Sequence, residues 1–279
     1  LPEAAVSVFA AAQGNPDLAL GNAVGSIICD TGLIIGLAAL IAPLPLDKQV
    51  TSRQGWLQIA FPLLLVLLSL ASIARGGAFP AEGVLPQWAG FVFIGLLIGY
   101  IFISIRWARK GTAVIPAEED EKIDTGRTGL VIFKLVLGIG IIIVSSKVLI
   151  PAVEITALRL RIPPSIIAAT LVALGTSLPE LVTAVTAARK GHGELAIGNI
   201  IGADILNVLF VSGVSAAVTL GGLAVPPFFF VFQFPIMLVI LVIFRLITLL
   251  SKEKISRLSG IVLLVFYAGY VVISYTMKR

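Results

Sequence analysis

Apolar runs long enough to cross a bilayer follow one another along almost the whole chain, and this restricts the fold more than any other feature. A span needs roughly 20 apolar residues. Nine segments read as spans, near residues 1–13 (short), 18–44, 56–74, 87–108, 128–151, 163–188, 194–220, 226–249 and 257–276. They are separated by turn or charge signals such as QGNPD, PLDKQVTSRQG, RLRIPP and SKEKISR. None of the runs alternates with period two, so they predict helices and not barrel strands. Only 13% of the residues are charged, about half the usual share of a water-soluble domain. Too little polar surface remains to cover a soluble globule, and lipid must be the solvent for much of the chain.

The formal charge of +5 is distributed in a way that suits a membrane better than nucleic acid. The loops after residues 44, 108, 188 and 249 share one side and hold 13 Lys and Arg, against five on the other side; Lys134 and Lys147 lie inside a span and are expected to snorkel. Basic loops face the cytoplasm, so the reading is a multi-pass protein of the cell membrane, prokaryotic plasma membrane in type, with its C-terminus outside. One Cys and one His exclude a disulfide framework and a zinc site. No nucleophile–His arrangement or nucleotide motif supports an enzyme, and no cofactor or obligate protein partner is indicated. The opening LPEAAVS has no basic n-region, so no signal peptide is expected.

An internal repeat carries the chemistry. Residues 1–36 align without a gap on residues 178–213 at a constant offset of 177. Leu1-Pro2-Glu3 matches Leu178-Pro179-Glu180, Gly14 matches Gly191, Gly21-Asn22 matches Gly198-Asn199, and Gly25 matches Gly202. Shared Pro, Glu, Asn and Gly are not what a common apolar composition supplies, so the match reads as a duplication. The copies begin an odd number of spans apart and therefore run in opposite directions through the bilayer. Inverted repeats with broken helices are the architecture of many secondary transporters, which bind substrate near the midplane at the repeat interface.

Each copy places polar groups where lipid would reject them. Glu3 and Glu180 follow Pro2 and Pro179 inside apolar helices. A proline removes a backbone donor and crowds the preceding turn, which predicts freed carbonyls at Ala173, Leu174 or Gly175. Thr176 and Ser177 add hydroxyls beside Glu180, and Ser26 and Asp30 are four apart on one helical face. Their partners in the second copy are Ala203 and Asn207. These are hard oxygen donors, of which calcium takes six to eight, and ionisable groups inside a span mark an ion path. Asp204, three residues before Asn207, is expected on another face and reads as structural.

The stretch ALGTSLPELVTA followed by GNIIGADILN resembles the second signature repeat of the calcium/cation antiporter superfamily, and in particular the prokaryotic sodium/calcium exchangers; LPEAAVS followed by GNAVGSIICD resembles the first. The resemblance implies an all-α polytopic membrane protein of two inverted-topology repeats, each of about five transmembrane helices, with the first helix of the first repeat absent from the pattern and the chain accordingly a fragment. It divides the chain into a first repeat over 1–108, a cytoplasmic linker over 109–127 and a second repeat over 128–279. It implies calcium and sodium as transported ions, with Glu3, Asp30, Glu180 and Asn207 as a central set of ligands. Ser26, Thr176 and Ser177, and the backbone oxygen of Ala173, would line flanking sodium positions. The expected function is calcium/sodium antiport by alternating access. Proton-driven export of a divalent cation is the alternative, since the same carboxylates could carry protons, and a cation channel or membrane scaffold is a third reading.

Overall fold

In a computed structural model the described residues are 2–73, 81–110, 128–251 and 253–277. Helix α1 (Pro2–Ala12) leads through a turn at Gly14 into α2 (Pro16–Ile41). Helices α3 (Lys48–Ile73) and α4 (Gln87–Lys110) follow. The second half runs through α5 (Thr128–Leu160), α6 (Pro164–Thr176), α7 (Leu178–Arg189), α8 (Gly193–Val218), α9 (Phe229–Leu250) and α10 (Arg257–Thr276). Among the described residues six helices are long and apolar enough to cross a membrane: α2, the Val50–Ile73 part of α3, the Gln87–Trp107 part of α4, α8, α9 and α10. Parts of α5 and α6 form a further bent pair, turned through 120°.

The sequence segments that depart from simple spans do so for identifiable reasons. The one near 1–13 forms an α-helix of 11 residues, Pro2–Ala12. The one near 163–188 is cut at Ser177, where φ is −85° and ψ 6°. Pro179 cannot donate to the turn before it, so α6 stops and α7 starts afresh. The linker residues 111–127, Arg279, and the side chains of Lys134 and Lys147 lie outside the described residues.

The duplication is visible in the backbone. Gly14 and Gly191, equivalent in the repeat, both take a left-handed conformation (φ 79° and 83°), which a side chain would strain, and both end the short helix that carries the repeated glutamate. The long helices that follow are each interrupted by a π-helical turn, Asp30–Ile34 in α2 and Asn207–Ser212 in α8. Each π turn opens on the repeated acidic or amide position. Such insertions widen a helix locally and gather at functional sites.

Helices α2 and α8 form the centre. Their most apolar windows are 78% and 72% buried, against 33% or less in α3, α4 and α10, whose outer faces remain for lipid. The glycines of α2 let α6 lie against it. A Cβ at Gly21 would stand 2.8 Å from the Ser165 carbonyl oxygen, and one at Gly25 would overlap the backbone of Ala169. On α8 the equivalent Gly202 has no atom within 4 Å of such a Cβ among the described residues.

The sequence reading predicted helices alone, yet two short antiparallel ribbons cap the bundle. Strand β1 (Leu44–Pro45) pairs with β4 (Lys254–Ile255), and β2 (Gly83–Leu85) pairs with β3 (Leu223–Val225). Each ribbon joins one half of the chain to the other. The first brings together the turn after α2 and the turn after α9; the second joins the turn after α3 and the turn after α8. The two pairings correspond to each other under the repeat.

Candidate functional site

The short glutamate helices cross over between the repeats. Helix α1 rests on the π turn of α8, and α7 rests on the π turn of α2. Ala4, Ala23 and Val211, one each from α1, α2 and α8, pack together at the first crossing. Glu3 and Asn207 are thereby brought to the same region from one side, and Glu180 and Asp30 from the other.

Asp30 sits at the middle of this arrangement, 1% exposed. Ser177 faces it from the break between α6 and α7, and the carboxylates of Asp204, Glu180 and Glu3 all lie near enough to act on its charge. Ser26, one turn earlier on α2, is fully buried, as is Ser177. Ser26 Oγ, Asp30 Oδ1 and Glu180 Oε2 are enclosed with no hydrogen-bond partner among the described residues. Enclosed polar atoms without partners cost about 1–3 kcal/mol each, so a cluster of them, all oxygens, is what a cation site demands. No group of three or more His, Cys, Asp and Glu residues closes to metal-binding geometry among the described residues. Hydroxyl, amide and carbonyl oxygens must therefore contribute to any ligand set.

Thr176 is buried, and its hydroxyl donates to the Ala173 carbonyl at 3.1 Å and to Asn22 Oδ1 at 3.3 Å. The Ala173 oxygen also accepts from the Ser177 backbone N–H at 2.9 Å. Of the carbonyls expected to be freed by Pro179, this one is thus engaged by two donors, because the chain continues one more helical residue before it breaks. Asn207 is buried, and its carbonyl accepts from the Ser212 hydroxyl at 3.0 Å inside the π turn.

Asn22 is a residue that the sequence reading passed over. Its Nδ2 donates to the Glu3 carbonyl at 3.2 Å and to Ser7 Oγ at 3.0 Å, while its Oδ1 accepts from Thr176. One amide therefore ties α1, α2 and α6 together beside the cluster. The signal for it in the sequence is an amide repeated as Gly-Asn in both copies in the middle of an apolar helix. Replacing Asn22 by Ala should destabilise the protein by about 2 kcal/mol, since up to three partners are left unsatisfied. A lowered thermal unfolding midpoint would check this; an unchanged midpoint would show that the amide holds nothing.

With this geometry in place, the relatives are informative. A family model described as sodium/calcium exchanger protein matches residues 1–106 and 130–276. The chain belongs to the sodium/calcium exchanger family. It is 32% identical to the inner membrane protein YrbG of Escherichia coli (strain K12) over 269 residues, covering 94% of this chain and 78% of YrbG. It is 30% identical to the sodium/calcium exchanger MaX1 of Methanosarcina acetivorans over 300 residues, covering 98% and 84%. Among solved structures, it superposes on the sodium-calcium exchanger NCX_Mj, soaked with sodium and strontium, with a TM-score of 0.66 at 28% identity, over 98% of this chain and 82% of that one. The protein is thus a polytopic α-helical membrane protein built of two inverted repeats, as the repeat in its sequence predicted.

Proposed function

We propose that the protein is a secondary active antiporter that exchanges calcium for sodium across the membrane by alternating access. The observation that carries this reading is the gathering of Asp30, Glu180 and Glu3 with the Ser177 hydroxyl at the crossing of two inverted repeats. Carboxylates brought together away from water repel one another, and a divalent cation offsets two of their charges at once. In this reading Glu3, Asp30, Glu180 and Asn207 hold calcium. Ser26, Thr176 and Ser177, with the Ala173 carbonyl, supply the oxygens that sodium takes in its place. The hydroxyls favour sodium as the driving ion, because a proton carrier needs no hydroxyl cage. The halves 1–108 and 128–279 rock against one another around the fixed site.

The test is calcium uptake into vesicles reconstituted with the purified protein, at fixed pH, with an imposed sodium gradient. Uptake driven by the sodium gradient is expected. Uptake that ignores sodium and follows a pH gradient would transfer the reading to a proton-coupled exchanger, and single-channel currents would remove antiport altogether.

Orientation follows from the basic loops. The β1–β4 ribbon should face the cytoplasm and the β2–β3 ribbon the exterior. Cys29 is buried and stays silent to polar reagents, so Lys254→Cys and Ala224→Cys can be introduced without removing it. An impermeant maleimide applied outside intact cells should modify position 224 and miss position 254. The reverse pattern would invert the topology.

A further inference from the structure

We propose that Asp204, with Thr31 and Gln58, forms a second cation subsite beside Asp30 that takes a monovalent ion of the sodium class. It rests on the exchange reading above and adds an ion position to it. The side chain of Asp204 projects from α8 into a wholly enclosed space, with 0% exposure. Its Oδ2 accepts from Thr31 Oγ1 at 2.7 Å and from Gln58 Nε2 at 2.6 Å. Gln58 Nε2 also lies 3.4 Å from Thr31 Oγ1. The other oxygen, Oδ1, is enclosed and has no hydrogen-bond partner among the described residues. Asp30, the neighbouring carboxylate, likewise has an enclosed and unpartnered Oδ1.

Two adjacent carboxylates in a dry interior are costly without a counter-charge. Among the described residues no Lys, Arg or His acts on Asp204. Nor does packing require a carboxylate at this place. By the repeat offset, the equivalents of Asp204 and Thr31 are Ile27 and Val208. Both are fully buried, at 0% exposure. The same scaffold therefore fills the same position with hydrocarbon in its other half, and the polar cluster is an addition made on one side only. The donors also suit a singly charged ion. One bare carboxylate oxygen, the Thr31 hydroxyl and the neighbouring Asp30 carboxylate are hard ligands, too few for calcium, which takes six to eight. Gln58, from α3, and Thr31 fix the carboxylate by its Oδ2, so that Oδ1 is presented to the ion.

The experiment titrates the thermal unfolding midpoint of the purified, detergent-solubilised protein. One series uses sodium chloride against choline chloride at constant ionic strength, and a second uses calcium chloride without sodium. Asp204→Asn should raise the sodium concentration for half-maximal stabilisation at least 10-fold and lower the Hill slope by about one, while the calcium value moves by less than 3-fold. Asp204→Ile, which copies the other half, should do the same, and Gln58→Met should raise the sodium value by a smaller factor. Sodium curves that keep their midpoint and slope in these variants, whatever happens to the baseline stability, would reduce Asp204 to a packing residue and overturn the subsite. Should one variant fail to fold, the other two still decide between these outcomes. Failure of calcium to stabilise the wild type would instead count against the exchange reading, and the sodium series would still report on Asp204.

Discussion

Glu180→Gln should abolish calcium exchange while leaving the protein inserted in the membrane. Glu180 opens α7, one turn past the break at Ser177, and its Oε2 is enclosed without a partner among the described residues. Glutamine keeps the shape and one oxygen but removes the charge that faces Asp30 and Glu3. Taking one partner from a buried charged arrangement costs about 3–5 kcal/mol, so sodium-driven calcium uptake should fall more than about 100-fold. The rest of the side chain is only half-buried, so the unfolding midpoint should hardly move. Wild-type uptake in this variant would remove Glu180 from the ion path. Glu3→Gln should behave in the same way, by the pseudo-symmetry of the repeats.

The second large effect is expected at Gly25. A β-carbon there would overlap the backbone of Ala169, not the flexible end of a side chain. Helix α6 has little room to retreat, because it is held from behind. Tyr270 Oη donates to the Ala169 carbonyl at 3.2 Å, Thr170 Oγ1 meets Tyr275 Oη at 2.9 Å, and Gln233 Nε2 donates to the Ser165 carbonyl at 3.3 Å. Overpacking typically costs about 1–3 kcal/mol. With backbone against backbone, Gly25→Val should exceed that range and displace Thr176 and Ser177, which α6 delivers to the site. The expected result is loss of both exchange and thermal stability. Gly95→Ala on α4, where a Cβ meets nothing within 4 Å, is the control and should be neutral or slightly stabilising. Equal stability in the two variants would mean that α6 does not bear on α2 as described.

The sequence carried the frame of this molecule and the positions proposed above as its calcium ligands. Apolar length sets the spans, and the offset of 177 picks out Glu3, Glu180, Asp30 and Asn207 without any knowledge of contacts. What it could not show is how segments far apart in the chain meet. Gln58 and Asp204 are 146 residues apart, and Thr31 and Asp204 are 173 apart. Neither Gln58 nor Thr31 looks unusual in its own helix, where a lone polar side chain fits many environments. The π turns were equally hidden, because one extra residue in a helical turn leaves an apolar run apolar. The ribbons, two or three residues long, fall in turns where the sequence shows only a change of polarity. Ala173 marks the limit of local reasoning. Pro179 does break the helix, but the position of the break is decided by Ser177, whose N–H still reaches back to the Ala173 carbonyl.

The two ribbons have a consequence for reversibility. Strands β1 and β3 follow equivalent helices of the two repeats, as do β2 and β4, so the relation that exchanges the halves also exchanges the ribbon at one end of the bundle for the ribbon at the other. Under the alternating-access reading proposed above, a shape open at one end would have a counterpart open at the other, with the equivalent strand pair beside it. The work of passing between them comes only from places where the halves differ in sequence, such as Asp30 against Asn207. On that reading the exchanger would have little directional bias of its own. Vesicles containing it in either orientation should run forwards or backwards as the imposed gradients dictate, with comparable maximal rates.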